Sequence, residues 1–569
     1  MARLSQVAFL TSLNENLPVK DKSLPTIVAI TVVLALLGFF FLSNLSFDFN
    51  WSKAKSGNVA PSGKKDPAPT LAESDTPEAP AKTAASGGGG LSQWLMSVAE
   101  EFMRYHHEMN GRGAIPNEAV LEFKDRAAYQ KFLASAEANG LKVKGKMDGL
   151  MAVRVGFEDE AALRKYMAEN PDNGASLGAN YTVSAPPIPT AADRANSSDV
   201  PFGGSALDFI GASNNANWGT GVKIAILDSA VSAENVFGQR LLTQQLATQA
   251  TTDLSHGTAV ASIAAGTIGV APGSSILSIG VVSADGLSDT FTLANGIMSA
   301  VDQGAKVLNI SLGSYGDSSV LEKAVAYAYE KGAVVVASAG NDGYTDSTYP
   351  ARYEHVVAVG AVDAYGQVVS FSNASQNYGL TAPGLEVLAA STGGQQELFS
   401  GTSAAAPFVA GAIASVMSQN PGMSAQDATA LLQTYANDAG APGVDADFGY
   451  GIIDLNRVEN RSVPNLTDAA VASHYFNAKA NGGPTMDYVV QNQGTSALMN
   501  WQLQTNSGGT METWNIPILQ PNQVTVISVP TSGLDLTAGQ QFQSRLLPPT
   551  GVVDIDRANN ARASVVQKN

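Results

Sequence analysis

The first regular feature of the chain is an uninterrupted apolar run. Residues 26–45, TIVAITVVLALLGFFFLSNL, carry no charge over about twenty positions, which is enough to cross the hydrocarbon core of a bilayer as a helix. A cleaved signal peptide is the alternative, but its apolar region is normally shorter and is followed by a small-x-small site. We therefore predict an uncleaved membrane anchor after a cytoplasmic tail of residues 1–25, with everything after residue 45 outside the cytoplasm.

The next part of the chain changes from a spacer to a small α+β pattern. Residues 46–90 are rich in Pro, Ala, Ser, Lys and Glu and end in four glycines, which is typical of a flexible linker. Residues 91–109 then carry apolar side chains at helical spacing. From 116 to 187 the pattern predicts the order βαββαβ, with EAVLEF as the first strand, a hairpin turn at Asp148-Gly149 and ANYTVSAP as the last strand. We assign 91–187 to one domain with both helices on one face of its sheet.

The remaining chain divides into a linker, an α/β region and an all-β region. The linker is 188–204. From 205 to 460, short apolar strands alternate with small-residue helices, a pattern that predicts a parallel sheet. From 461 to 569, helical periodicity gives way to short alternating runs such as MDYVVQNQG and QVTVISVP, and turns between them favour an Ig-like β-sandwich.

Composition excludes several classes of function. The 569 residues include 33 basic and 50 acidic side chains, for a formal net charge of −17, so binding to nucleic acid is not expected. The chain has no cysteine, which excludes disulfides, thiolate metal sites and a cysteine nucleophile.

The segment LFSGTSAAAPFVAGAIASV (398–416) places Ser403 at the start of an apolar helix. A serine there can cap the helix by accepting from a free backbone N–H. It can also be a nucleophile, provided that a base lies within hydrogen-bond reach and is itself oriented by a third group. Only the rest of the chain can decide between the two.

Three polar residues elsewhere stand where such partners are needed. His256 opens a small-residue helix in SHGTAVASIAAG, and Asp228 ends the apolar strand in GVKIAILDSAV. Asn341 follows the buried strand in AVVVASAGNDG, where its amide could donate to an oxyanion. Active sites of parallel sheets form outside the carboxyl ends of the strands. Each residue alone could be a cap or a turn residue, but the four together indicate acyl-transfer chemistry.

The α/β region with these four residues resembles the subtilisin-like serine peptidases over essentially its whole length. Supporting matches are NISLGS (309–314), YPARYEHVVAVGAVD (349–363), SFSN (370–373), TAPG (381–384) and DFGYGIIDL (447–455). The resemblance implies that Ser403 attacks a peptide carbonyl while His256 transfers the proton and Asp228 orients the imidazole. Asn341 and the backbone N–H of Ser403 would hold the oxyanion.

The resemblance also implies a substrate cleft. An extended protein or peptide substrate would add as a strand between two edge segments, and a pocket with an uncharged floor would favour an uncharged residue before the cut. The first edge is Gly286, Leu287 and Ser288, the second is Ser311, Leu312 and Gly313, and the floor is Ala339, Gly340 and Thr348.

The sequence departs from the family pattern at four places. Asp228 is followed by Ser-Ala, Ser403 is followed by Ala404, and Phe408 stands where the family usually has histidine. These changes leave the catalytic chemistry intact. The segment AAGTIGVAPGSS (264–275) lacks the Asn-bearing loop of the family's strong calcium site, so we expect no cofactor, leave calcium open and assign no metal ligands.

The flanking domains carry further resemblances. The βαββαβ segment, with EAVLEFKD and its hairpin, is similar to a subtilisin propeptide, an inhibitory chaperone that lays its last strand across the cleft; an unrelated linker domain is the alternative. The last domain is similar to CARDB-type, adhesion-related sandwiches in VVQNQGTSA, LQPNQVTVISVP, LTAGQ and DIDRANNARASVV. Such a domain could dock substrate, attach to the envelope or stabilise the enzyme.

Together these features predict a bacterial membrane-anchored, outward-facing endopeptidase that is made as a self-processing zymogen. A dedicated processing protease for one partner and an inert scaffold or adhesin are the alternatives. We expect self-cleavage between Ser184 and Asp199, with the bond among Thr190 to Ser198, because Pro186 and Pro187 disfavour a cut next to the strand. The cleaved product would stay at the membrane only while its propeptide holds it.

Overall fold

A computed structural model describes residues 90–170, 174–187, 199–212, 216–374, 379–534, 536–537 and 539–566. The predicted anchor at 26–45 and the expected cleavage segment at 190–198 lie outside these residues. Within the part that is described, no helix combines the length and apolar character that crossing a bilayer requires.

The N-terminal domain is an antiparallel sheet with helices on one face. Its helices are α1 (Gly90–Met109), α2 (Arg126–Ser135) and α3 (Glu160–Glu169), with a 3-10 turn at Glu137–Asn139; its strands are β1 (Glu118–Glu122), β2 (Lys142–Met147), β3 (Ala152–Gly156) and β4 (Ser176–Gly178), followed by a two-residue strand β5 (Thr182–Val183). The sheet order is β2-β3-β1-β4.

Side-chain alternation in β1 explains how this domain is layered. Ala119 and Leu121 point into the core formed with the helices, whereas Val120 belongs to the core of the next domain. Asp125 and Asp159 fix the helix starts, since each carboxylate accepts from a backbone N–H of the first turn of α2 or α3. The opposite face of the sheet is therefore free to pack on the α/β domain.

The α/β domain has a seven-stranded sheet in the order β13-β12-β11-β10-β6-β8-β7, with every pair parallel. Its strands are β6 (Lys223–Asp228), β7 (Leu241–Gln245), β8 (Ser275–Gly280), β10 (Val307–Ile310), β11 (Val334–Ser338), β12 (Val356–Val362) and β13 (Leu380–Pro383). Outside the sheet are the short strand β9 (Ser288–Asp289) and a hairpin of β14 (Val387–Ala390) and β15 (Gln396–Phe399). The prediction of a parallel α/β sheet is confirmed.

Helices cover both faces of this sheet. They are α4 (Ala206–Phe209), α5 (Ser255–Ala265), α6 (Thr290–Asp302), α7 (Ser319–Glu330), α8 (Thr402–Gln419), α9 (Ala425–Thr434) and α10 (Leu455–Asn460), with 3-10 turns at Gly238–Arg240 and Thr392–Gly394. Ile224 and Ile226 of β6 point into the core shared with α5 and α8. Ala225 and Leu227 point into the core shared with α6 and α7. The near-continuous apolar strands follow from this burial on both sides.

The last strand of the small sheet is not where the sequence predicts it. The predicted strand ANYTVSAP spans 179–186, but the fourth strand of the sheet is β4, and β5 leaves the sheet to pair antiparallel with β9 of the α/β domain. Val183 is buried in the same core as Leu227 and Leu312. An alternating pattern indicates a half-buried strand, but it does not show which sheet supplies the partner.

Two polar clusters fasten the N-terminal domain to helices α6 and α7. Arg154 pairs with Asp289, which caps α6 by accepting from the backbone N–H of Thr292 at 2.9 Å. Glu122 accepts from the hydroxyl of Ser319 at 2.6 Å, in the first turn of α7. Because carboxylates are favoured at helix N-termini, both contacts orient the domain as well as hold it.

The C-terminal domain is built of two antiparallel sheets around one core. Their orders are β16-β17-β20 and β19-β18-β21-β22. The strands are β16 (Ala469–Asn477), β17 (Thr485–Asn492), β18 (Gln502–Ser507), β19 (Thr510–Asn515), β20 (Val524–Pro530), β21 (Gln540–Leu547) and β22 (Ala561–Val566). The buried guanidinium of Arg457 in α10 joins this domain to the α/β domain, because it donates to the Ala436 carbonyl at 2.5 Å and to Asn522 Oδ1 at 2.7 Å.

Candidate active site

The predicted site residues stand at the carboxyl edge of the parallel sheet. Asp228 closes β6, and Asn341 follows the end of β11. His256 is the second residue of α5 and Ser403 the second residue of α8, and both helices pack on the same face of the sheet. Strand ends and helix starts therefore bring these four residues to one edge, as the order of elements along the chain requires.

Asp228 and His256 form a buried pair. The Asp228 carboxylate is 1% exposed, and its Oδ1 lies 2.8 Å from Nδ1 of the imidazole. The same oxygen accepts from the backbone N–H of Ser229 at 2.7 Å. Burial by itself would lower the pKa of His256, but the carboxylates of Asp228, Asp253 and Glu397 outweigh it and leave the pKa raised above 6.5.

Ser403 does not cap its helix. The start of α8 is satisfied by Asn341, whose Oδ1 accepts from both the backbone N–H and the hydroxyl of Thr402 at 2.9 Å. Gly401 precedes this contact with a φ of 117°, and a Cβ there would lie 2.7 Å from Asn341 Nδ2. The glycine thus lets the asparagine approach closely, and the capping explanation for Ser403 is wrong.

The Ser403 hydroxyl is turned toward a backbone carbonyl. Ser403 is 2% exposed, and its Oγ donates to the carbonyl of Ser311 at 3.3 Å. His256 Nε2 is buried and has no hydrogen-bond partner among the described residues. The serine and the imidazole are therefore not hydrogen-bonded to each other.

Asn341 presents its amide N–H to the end of the N-terminal domain. Since its Oδ1 is held by Thr402, Nδ2 must face the cleft, where it donates to the carbonyl oxygen of Pro187 at 3.0 Å. Pro187 is the last described residue before the gap at 188–198. A peptide carbonyl thus lies at the donor that the sequence assigns to the oxyanion.

Strand β5 lies between the two edge segments that the resemblance assigns to substrate. On one side, Val183 pairs with Ser288 of β9. On the other side, Ser184 and Gly313 exchange backbone hydrogen bonds of 3.0 and 2.8 Å. A Cβ on Gly313 would lie 2.3 Å from Oγ1 of Thr348, so a larger residue here would collide with that side chain.

The other predicted cleft residues have different positions. Gly286 and Leu287 form the tight turn before β9 and do not pair with β5, and Leu287 is 40% exposed. Leu312 is buried in the core. The three predicted floor residues lie together, since Thr348 donates its backbone N–H to the Ala339 carbonyl at 2.9 Å and Gly340 follows directly.

The comparisons with known proteins decide the family. Residues 219–451 match the model of the subtilase family. The chain is 36% identical to subtilisin BL of Lederbergia lenta over 265 residues, which is 45% of this chain and 97% of that protein. It is 44% identical to a thermophilic serine proteinase of Bacillus sp. (strain AK1) over 171 residues, 29% of this chain and 43% of that protein. The chain belongs to the subtilase family. It is a subtilisin-like serine endopeptidase.

A solved structure supports the same fold for this subtilase over a longer stretch. Fervidolysin of Fervidobacterium pennivorans, described as a keratinolytic enzyme related to subtilisin, covers 80% of this chain and 91% of its own, with a TM-score of 0.52. The sequence identity is 19%, so the likeness concerns the fold.

An arginine side chain borders the loop after α5 in this subtilase. The Arg240 guanidinium donates to the carbonyl oxygens of Ala265 and Ser274 at 2.8 Å and to that of Val236 at 3.1 Å. Three oxygens bordering the loop are thus already paired with a fixed cation. Among the described residues, no group of three or more His, Asp or Glu side chains is placed to hold a metal ion.

Sequence reasoning missed several contacts of this site. Thr402 locks Asn341, the Ser311 carbonyl holds the Ser403 hydroxyl, and the ring of Phe399 lies edge-on to His256 with 5.3 Å between centroids. Phe399 falls on the buried side of β15, so its alternation with exposed neighbours was the available signal.

We predict that the His256 imidazole of this subtilase titrates above 6.5. Burial disfavours the charged form, but Asp228, Asp253 and Glu397 together stabilise it by more. NMR titration of the Ser403→Ala protein, with selectively labelled histidine, measures this pKa. Asp228→Asn should lower it, because burial then acts with less opposition. An apparent pKa at or below 6.5 in the parent protein would contradict this electrostatic description.

Proposed function

We propose that the chain is a membrane-anchored, outward-facing endopeptidase zymogen with Asp228, His256 and Ser403 as its triad. The observation that carries the proposal is the Pro187 carbonyl, which accepts from Asn341 Nδ2 at 3.0 Å in the cleft. The anchor is the apolar segment 26–45, and it rests on the sequence alone.

In the proposed reaction, Ser403 turns from the Ser311 carbonyl toward His256 and loses its proton to Nε2 as its oxygen attacks the substrate carbonyl. Asp228 holds Nδ1–H at 2.8 Å, which leaves Nε2 as the base and stabilises the imidazolium. Asn341 Nδ2 and the backbone N–H of Ser403 receive the oxyanion. His256 then protonates the leaving amine, and water hydrolyses the acyl-enzyme by the reverse sequence.

The N-terminal domain would keep this site inhibited. Strand β5 pairs with Ser288, and Ser184 after it bonds to Gly313, so the chain occupies backbone groups that an extended substrate would need. The contacts of Asp289 and Glu122 at α6 and α7 hold the domain in register. A substrate can bind only when this strand leaves the cleft. The N-terminal domain would therefore act as a competitive inhibitor, because it occupies the same backbone groups as the substrate.

Among the alternatives, the inert scaffold or adhesin gains no support from the described residues. The Asp228–His256 pair is formed, and the Asn341 amide is fixed toward a peptide carbonyl. A dedicated processing protease has the same chemistry and differs only in how many substrates it accepts.

We predict that Ser403→Ala and His256→Ala reduce peptide cleavage by about four orders of magnitude or more, because the members of a triad act as a unit. Asn341→Ala should reduce turnover by about two to three orders of magnitude, the usual loss for one oxyanion donor. Casein hydrolysis and labelling with a fluorophosphonate probe measure these effects. Ser418→Ala, a matched change at the other end of α8, should retain activity. Near-native cleavage by the Ser403 or His256 variant would refute the triad.

A second prediction concerns the processed N-terminus. The sequence predicts that the chain is cut among residues 190–198. The position of the Pro187 carbonyl instead favours a cut directly after Pro187, despite the two prolines. Wild-type protein should therefore start at Ile188 and be partly soluble, whereas Ser403→Ala should stay full-length in the membrane fraction. N-terminal sequencing and fractionation test this. An N-terminus among residues 191–199 would support the cleavage segment that the sequence predicts. Wild-type protein that stays uncleaved and is fully active would contradict the proposal that the chain is a zymogen.

We also propose that Arg240 replaces a cation at the loop after α5. Chelation with EDTA should leave the melting temperature of the Ser403→Ala protein unchanged. Arg240→Ala should cost about 2–4 kcal/mol of unfolding free energy, since buried carbonyls lose charged donors. Arg240→Lys keeps the charge but cannot donate to three carbonyl oxygens in the geometry of a guanidinium. Its unfolding free energy should therefore lie between that of the parent protein and that of Arg240→Ala. A large fall in melting temperature on chelation alone would be incompatible with this role.

A further inference from the structure

Two carboxylates that the proposed reaction does not use lie near His256. Asp253 is exposed, and its Oδ1 accepts from the backbone N–H of Ser255 at 3.0 Å and from its hydroxyl at 2.6 Å. Glu397 is half-buried on β15, and its Oε2 accepts from the hydroxyl of Ser391 at 3.1 Å. Both carboxylates act on the imidazole and raise its pKa, so their fields reach the reacting atoms.

Asp253 lies on the side of the cleft that receives the residues before the scissile bond. The segment leading to it runs beside the segment leading to β9: Ala250 bridges to Ser283, and the backbone N–H of Thr251 donates to the Val282 carbonyl at 3.2 Å. Strand β9 in turn pairs with β5, which precedes the Pro187 carbonyl. The carboxylate therefore borders this half of the cleft, next to the imidazole.

Glu397 lies on a different element, strand β15. Along β15, Glu397 and Phe399 lie on the less exposed face of the strand, and their neighbours lie on the exposed face. The ring of Phe399 contacts His256. The partner strand β14 bonds to the segment that begins at residue 199, since the backbone N–H of Leu388 donates to the Gly203 carbonyl at 3.0 Å. Glu397 thus lies close to His256 on the strand that leads to Ser403, and we assign it to the half that receives the residues after the scissile bond.

Neither carboxylate has a cation of its own. No lysine or arginine in the described part of the chain forms an ion pair with Asp253 or Glu397. The described end of the N-terminal domain, Ala185-Pro186-Pro187, is uncharged and supplies none. The pocket floor of Ala339, Gly340 and Thr348 carries no charge either. Asp253 and Glu397 therefore supply negative charge near His256, whereas the floor of the pocket supplies none.

We infer that this site selects polypeptides that carry lysine or arginine on both flanks of the scissile bond, with an uncharged residue directly before the bond. The inference rests on the proposed function, because it assigns the substrate class of the same site. Asp253 attracts a cation on the residue two before the bond, and Glu397 attracts one on the first residues after it. A substrate of this kind gains two charge contacts that the N-terminal domain lacks, so it is favoured over rebinding of that domain.

The test compares quenched fluorogenic peptides on processed wild-type protein. The peptides share an apolar residue before the bond and carry lysine, glutamine or glutamate at the second position before it or the second after it. At low ionic strength, kcat/KM should fall in the order Lys, Gln, Glu, by about two- to fivefold at each step, as for exposed charge pairs. The differences should shrink in about 0.5 M salt, where screening extends over only a few ångströms.

Matched variants assign the effect to each carboxylate. Asp253→Asn keeps the acceptor for Ser255. It should abolish the differences in kcat/KM between lysine, glutamine and glutamate peptides only for the position before the bond. Glu397→Gln keeps the acceptor for Ser391. It should abolish these differences in kcat/KM only for the position after the bond. Glu330→Gln is the control: this exposed carboxylate ends α7, at the edge of the sheet opposite the site, and its removal should leave every ratio unchanged.

The possible outcomes separate this inference from the proposed function. If a fluorophosphonate labels Ser403 and all peptides are cleaved equally, the inference is overturned and the peptidase stands. The same holds if Asp253→Asn and Glu397→Gln leave the ratios unchanged. If the probe does not label Ser403 and no peptide is cleaved, the proposed function fails first and the inference with it.

Discussion

The N-terminal domain is joined to the α/β domain by an inserted segment, strand β5 and Ser184, which bonds to Ser288 on one side and to Gly313 on the other. Val183 pairs with Ser288, and Ser184 exchanges two hydrogen bonds with Gly313. Backbone groups at a sheet edge need partners, so a cleft built for strand addition also offers its own chain a binding site. The buried Val183 side chain adds apolar contact. Through this strand, the N-terminal domain reaches the residues proposed for catalysis.

The groups around the cleft are fixed before any substrate arrives. Thr402 holds Asn341 by two hydrogen bonds, and a glycine with positive φ lets them approach. The Asp228 carboxylate is likewise held by the Ser229 N–H and sets the imidazole. Preorganised donors stabilise developing charge without reorientation during the reaction. In the proposed reaction, the Ser403 hydroxyl leaves the Ser311 carbonyl and Asn341 Nδ2 exchanges the Pro187 carbonyl for that of the substrate.

Local patterns predicted much of this structure, and what they missed depends on contacts between distant segments. Apolar strands ending in Asp228 and Asn341 predicted the parallel sheet and the edge where these residues meet. The pattern of ANYTVSAP predicted a strand but not its partner, because β5 pairs with residues more than one hundred positions away. Arg240 gave no signal, since the three carbonyls that it binds converge only in the fold. The cap at α8 was assigned to Ser403 as one option, whereas Asn341 provides it from another loop.

Hydrogen exchange on the uncleaved Ser403→Ala protein tests the strand insertion most directly. The amides of Val183, Ser184 and Gly313 should exchange slowly, because Val183 pairs with Ser288 of β9 and because Ser184 and Gly313 bond to each other. Val183→Asp, which places a charge in the shared core, should release both segments together while the sheet β2-β3-β1-β4 stays protected. Exchange of Val183 and Ser184 at the rate of an unstructured chain, with that sheet still protected in the parent protein, would contradict the insertion.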